Sequence, residues 1–262
     1  MKIATTLHAR SLVGAAALIA SSAGLSGCVN LDTGFGGEPL ADLDTSGSAP
    51  TEIALAGPDN LILTVGDALD IQVEGDSDAV DDLRFKRSDE SLAVGREGSA
   101  DGTATVRITM PPPREISLAG SGSIDSEALA DKAEINIAGS GAVIVAEVDA
   151  ADLEVSSAGS GSLTASGTVA DLEISIVGSG DVDFSKLKAE NVEISIAGSG
   201  DVTLLSDGRV ETSIAGSGNV NVTGQATCET SSFGSGAVTC RPAQTADAGS
   251  QADPERDTES AE

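Results

Sequence analysis

Seven copies of the tripeptide Gly-Ser-Gly, with their glycines at Gly120 and Gly122, Gly139 and Gly141, Gly159 and Gly161, Gly178 and Gly180, Gly198 and Gly200, Gly216 and Gly218, and Gly234 and Gly236, recur at intervals of 18 to 20 residues. A period near 20 with a fixed glycine corner is the signature of a solenoid in which each repeat is one coil stacked on the last. Aligned on the first glycine, the residues four and two before it are mostly β-branched or leucine. They run from Ile116 and Leu118 through Ile135 and Ile137 to Ile194 and Ile196. Two residues beyond the second glycine stand Ile124, Val143, Leu163, Val182, Val202, Val220 and Val238. Polar residues alternate with them, the period of strands with one buried face, and helical spacing is absent. The corner glycines are expected to supply positive φ without a Cβ penalty and to let stacked turns approach closely.

Each coil therefore reads as strand, corner, strand and a more variable third side, such as Ala146–Asp152 or Lys186–Asn191. The fold expected is all-β: a single-stranded parallel β-helix, a solenoid of about seven Gly-Ser-Gly coils taken as right-handed, over residues 113–240. At ~4.8 Å per rung the rod would be roughly 35 Å long. Residues 51–112 contain short strands broken by Gly-Pro, Gly-Asp and Asp-Gly turns and lack the Gly-Ser-Gly corner. They are expected to cap the first coil. Residues 241–262 are polar, acidic and aperiodic, and read as a disordered tail.

The beginning reads as an export signal. Lys2 and Arg10 flank the start, an apolar run covers Leu12–Ala23, and Leu25-Ser26-Gly27-Cys28 resembles a bacterial lipobox. The expectation is a lipoprotein signal over residues 1–27, lipidation of Cys28, and a flexible tether over residues 28–50 spanning roughly 25 Å. Val29, where inner-membrane retention uses Asp, favours the outer membrane, facing the cell surface or the periplasm.

Removing the signal takes Lys2 and Arg10 and leaves 12 basic residues against 42 acidic ones. Such a surface repels nucleic acid and anionic headgroups, so the acyl chains at Cys28 would be the membrane contact. The single histidine, His8, leaves with the signal, and the chain has no Trp or Tyr. Histidine-dependent triads, histidine metal sites and indole stacking platforms are excluded. Cys228 and Cys240 remain, both at inward positions of the last coil, and are expected to form a disulfide that staples the open end of the rod, contributing about 3 kcal/mol.

One row goes beyond packing. Five residues before each corner stands a glutamate: Glu115, Glu134, Glu154, Glu173, Glu193, Glu211 and Glu229. Stacking aligns them one rung apart, where like charges repel by roughly 1 kcal/mol in water. Beside them lies a second outward row: Ser117, Asn136, Ser156, Ser175, Ser195, Ser213 and Ser231. The pattern is either a solvated repetitive face or an oxygen-only ladder suited to Ca²⁺. No other cofactor is expected. Asp181 and Asp201 follow two of the corners, but the period is wrong for calcium-binding nonapeptide repeats. A polysaccharide-active enzyme would need carboxylates beside a basic proton acceptor, and only Lys186 and Lys188 lie near acids such as Asp183 and Glu190, where a surface ion pair explains them.

The Gly-Ser-Gly coils, the Met110-Pro111 entry and the short strands around Val65-Gly66-Asp67 resemble the autotransporter-adhesin head domain, also called the head GIN domain, over about residues 51–240. That resemblance implies a pectin-lyase-type β-helix, exported and often lipidated, in adhesion; it carries no catalytic residues. The function expected is a non-enzymatic binding or structural head for a protein or glycan ligand, in cell adhesion or envelope-surface contact. The alternatives are a periplasmic scaffold for envelope proteins or glycans, and a polysaccharide-active β-helix.

Overall fold

Alternation is what stacks the coils. In the computed structural model, which describes residues 35–242, the inward rows at Ile116, Ile135, Val155, Ile174, Ile194 and Thr212 are at most 1 % exposed. The rows either side of the corner, from Leu118 to Ile214 and from Ile124 to Val220, are also buried. Each buried residue sits one rung above its counterpart, so the core is a set of aliphatic ladders with one contiguous cluster along the described rod.

The Gly-Ser-Gly coils are built by β7 (Glu115–Gly120), β8 (Ser123–Ala128), β9 (Lys132–Gly139), β10 (Ala142–Gly159), β11 (Ser162–Gly178), β12 (Asp181–Gly198), β13 (Asp201–Gly216), β14 (Asn219–Thr223), β15 (Thr227–Gly234) and β16 (Ala237–Arg241). All pairings among them are parallel, and the corners hold register from Gly120 to Gly234. The solenoid reading of the sequence is correct. The 18- to 20-residue variation in coil length is absorbed on the third side, where the register shifts between Val145 and Val148, Thr164 and Ser166, and Phe184 and Lys188.

The two glycines of each corner do different jobs, and the expectation of positive φ holds only for the first. Gly139 (+125°) and Gly198 (+140°) show it. For the second glycines, Gly122, Gly141, Gly161, Gly180, Gly200, Gly218 and Gly236, that expectation is corrected: none has positive φ. What they need is space, because each lies directly on the coil beneath. A Cβ at Gly122 would come within 2.2 Å of the Asp59 carbonyl oxygen, and one at Gly141 within 2.5 Å of that of Gly122. At Gly161 it would strike the Ile137 side chain at 2.5 Å. At Gly218 it would lie 2.4 Å from the Gly200 carbonyl oxygen. The Ser amide between the two glycines donates to the previous coil's first glycine, as Ser140 does to Gly120 at 2.9 Å.

Residues 51–112 do more than the cap expected of them. They form β1 (Glu52–Gly57), β2 (Asn60–Val65), β3 (Asp70–Gly75), α1 (Ser77–Asp82), β4 (Leu83–Arg87), β5 (Ser91–Arg96) and β6 (Ala104–Met110). Strands β1 and β2 stack in parallel on β7 and β8, with Gly57 against Gly120. Strands β5 and β6 then stack in parallel on the other side of β1 and β2. Only β3 and β4 run antiparallel, on β6 and β5, and close the end. The corner between β1 and β2 is Gly57-Pro58-Asp59, with φ of +138° at Gly57.

The tether expected over residues 28–50 is corrected from Phe35 onward. The Phe35 ring lies on Gly95, Glu38 bridges to Phe85, a 3-10 turn covers Leu40–Asp42, and Leu43 is buried. The Arg87 guanidinium donates to the carbonyls of Asp44, Ser46 and Ser48 at 2.6–2.7 Å. Apolar side chains and one multidentate cation thus strap this segment to β4 and β5. The signal over residues 1–27, Cys28 and the tail from residue 243 lie outside the described residues; Arg241, assigned to the tail, ends β16.

Cys228 and Cys240 are bonded, with a Cα–Cα separation of 6.7 Å. They occupy inward register positions, opposite Val210 and Val222, yet Cys240 is exposed and Cys228 half-buried. The expectation that both lie in the core fails because, among the described residues, no further coil covers them.

Candidate functional site: an acidic groove along the rod

The glutamate row faces outward because it alternates with buried neighbours: Leu153 and Val155 flank Glu154, and Leu172 and Ile174 flank Glu173. Parallel pairing lines up Glu115, Glu134, Glu154, Glu173, Glu193, Glu211 and Glu229, and adds an eighth carboxylate, Glu52, opposite Glu115. Two residues earlier in each coil runs a second outward row: Lys132, Asp152, Asp171, Asn191 and Arg209. Between the rows, Ala133, Leu153, Leu172 and Val192 form the floor of an open groove of about 730 Å³.

Charge along this groove is unevenly compensated. At its ends Arg114 pairs with Glu52 (2.8 Å) and Arg209 with Glu229 (2.9 Å). In the second row Lys132 holds Asp152 at 2.5 Å, and the Asn191 amide donates to Asp171 at 2.9 Å. Within the glutamate row Ser117 donates to Glu115 (3.0 Å) and Asn136 to Glu134 (2.7 Å). Among the described residues, Glu154, Glu173, Glu193 and Glu211 make no ion pair. Burial, then the neighbouring Glu134 and Glu173, push the Glu154 carboxyl above its ordinary range.

Lys188 pairs with Asp207 at 2.8 Å, not with the expected Glu190 or Asp183. That hydrogen bond raises the Lys188 pKa and keeps its ammonium protonated. Asp183 instead accepts from Ser185, which lowers its pKa. Among the described residues no three acidic, cysteine or histidine side chains converge closely enough to hold a metal ion. The candidate calcium ladder is thus a line of carboxylates one rung apart, without a clustered site. No helix among them is long and apolar enough to cross a membrane.

Two of these features were missed in the sequence. Glu52 was visible, because Glu52-Ile-Ala-Leu-Ala-Gly57 differs from Glu115-Ile-Ser-Leu-Ala-Gly120 at one position. The Lys132–Arg209 row mixes Lys, Asp, Asn and Arg, and it emerged only once the register was known.

The family described as "Putative auto-transporter adhesin, head GIN domain" matches residues 49–226, more than half of the chain. The chain belongs to this family. Folds of similar shape have been solved. One is described as a putative adhesin from Bacteroides fragilis: 24% identity, TM-score 0.67, 74% of this chain and 93% of that one. Another is described as a putative lipid binding protein from Parabacteroides distasonis: 21% identity, TM-score 0.58, 75% and 94% covered. A third, described as a putative adhesin from Parabacteroides merdae, has 18% identity and a TM-score of 0.53, with 75% and 93% covered. At these identities the likeness is one of fold. No curated protein matches the chain.

Proposed function

We propose that this head GIN chain is an exported binding head without a catalytic step. Lipid on Cys28 would hold it to the outer membrane, and it would serve cell adhesion or envelope-surface contact. The observation that carries this reading is the open groove, in which Glu154, Glu173 and Glu193 face solvent without a cation among the described residues. Evenly spaced carboxylates suit a ligand that brings repeated donors, either a basic segment of an envelope protein or a hydroxyl-rich glycan. Calcium could join adjacent rungs only with water completing its shell. The family description and the export signal expected over residues 1–27 support an envelope location.

Two measurements test this reading. Purified head is applied to washed cells of the producing bacterium, beside a Glu154→Gln/Glu173→Gln/Glu193→Gln variant. Retention falling at least tenfold in the variant is expected; equal retention removes the groove as the contact. Protease shaving of intact cells is expected to cleave the head, whereas protection until lysis would place it on the periplasmic side as a scaffold.

A further inference from the structure

The last described coil, β15 and β16, is held in shape differently from the coils before it. The coil beneath presents Val210, Thr212, Ile214, Val220 and Val222 inward, none more than 3 % exposed. Facing them are Cys228, Thr230, Ser232, Val238 and Cys240. Thr230, Ser232 and Cys240 are exposed, and Cys228 and Val238 half-buried. Two hydroxyls stand where the middle coil has Ile194 and Ile196, so laying this coil down removes little of its own apolar area from water. The coil instead carries a covalent tie, the Cys228–Cys240 bond from β15 to β16 across the Gly234-Ser235-Gly236 corner. The family match ends at residue 226, just before this coil begins.

We propose that residues 227–241 form an end coil released by reduction of the Cys228–Cys240 disulfide. Cys240 is the exposed partner, open to an attacking thiolate. A dithiol reductant attacks its sulfur, and the bond to Cys228 breaks. A second attack by the same dithiol closes the reductant's own disulfide. Two electrons and two protons pass to the protein, which keeps two thiols. Without the tie, β15 and β16 keep their backbone pairing to β13 and β14, the exposed Arg209–Glu229 ion pair, and an inward row with hydroxyls at Thr230 and Ser232. Their release uncovers the aliphatic row from Val210 to Val222 and a strand edge with free amides and carbonyls.

Amide hydrogen exchange on the full chain, with and without dithiothreitol, tests this, with iodoacetamide labelling to count free thiols. On reduction both cysteines should label, and the amides of residues 210–222 should exchange at least tenfold faster. Protection in β10–β12 should be unchanged. The Cys228→Ser/Cys240→Ser variant should behave as the reduced protein without any reductant. Unchanged exchange at residues 210–222 with both thiols labelled would overturn the proposal. So would loss of protection along the whole rod, or a disulfide that resists the dithiol in the folded protein.

Discussion

Arg96 and Asp59 form a buried ion pair at the parallel corner where Gly57-Pro58-Asp59 stands in place of Gly-Ser-Gly. The Arg96 Nε donates to Asp59 at 2.7 Å, its Nη2 donates to the other carboxylate oxygen, and its remaining donors reach the Ala100 and Gly102 carbonyls. Asp59 also accepts from the Ala104 amide at 2.8 Å, so one pair ties β2, β5 and β6 together. The hydrogen bond to Asp59 raises the Arg96 pKa further. Removing one partner leaves a buried charge alone, so Arg96→Ala should cost about 3–5 kcal/mol in urea denaturation. Adding Asp59→Asn should recover part of that loss. No change in the urea midpoint for Arg96→Ala would show that the pair does not hold the corner.

The corner glycines predict an asymmetry between neighbours. A Cβ at Gly198 would lie 2.0 Å from the Gly178 carbonyl oxygen, at φ of +140°. Backbone strain alone is worth about 1–3 kcal/mol, before the clash. Ser199 is exposed, so Ser199→Val should stay within about 0.5 kcal/mol. Thermal melts should place Gly198→Val far below wild type, and equal, mild shifts would contradict the close stacking of corners.

Within the core, two hydroxyls lack partners: Ser157 Oγ and Thr212 Oγ1. Thr212 is 1 % exposed and sits directly on Ile194 in the aliphatic row. Thr212→Val keeps the shape and removes an unsatisfied group, so it should stabilise by about 1 kcal/mol in chemical denaturation. A loss of stability would mean the hydroxyl is satisfied. The converse change, Ile194→Asp, puts a carboxylate at a fully buried position and should abolish cooperative melting.

The glutamate ladder sets a pH dependence of definite sign. The Glu154 carboxyl is raised in the folded state, by burial and then by Glu134 and Glu173, so its protonated form is the better tolerated one. Its contribution is complete below the ordinary glutamate value of about 4.5 and is lost as pH rises through the folded value. Asp183 and Asp207 act oppositely. Hydrogen bonds from Ser185 and from Lys188 depress them, and their contribution fades only as pH falls below the ordinary aspartate range. Glu154→Gln should therefore raise the Tm at pH 7 and leave it unchanged near pH 4. A variant with the wild-type pH profile would sever the ladder from stability.

The sequence was legible where one residue type must recur. Ile135, Ile174 and Ile194 repeat because a stacked β core accepts little else, and Gly139 and Gly198 repeat because backbone approaches backbone. The glutamates announce themselves by the same spacing. Repetition alone could not separate the two glycines of a corner, since Gly139 recurs for its positive φ as well as for want of room, and Gly141 for want of room alone. The N-terminal coil was hidden because Pro58 and Asp59 replace the corner triplet, and their partner Arg96 is remote in sequence. Phe35, Leu43 and Arg87 each look ordinary alone, and only packing turns residues 35–50 into a strap. The groove's second row mixes Lys, Asp, Asn and Arg, so no pattern in composition could reveal it.

The placement of β1 and β2 between β5–β6 on one side and β7–β8 on the other makes the two halves of the molecule differ in how they can change. The strands before β7 stack out of chain order and end in the antiparallel β3 and β4, so that half can neither gain nor lose a layer without being rebuilt. Beyond it, each coil offers the next the same edge it received. A coil could be inserted or removed there and the groove would keep its walls. The length of such a head is then a heritable quantity adjustable in steps of ~4.8 Å, so evolution could tune the number of contacts along a ligand without touching their chemistry.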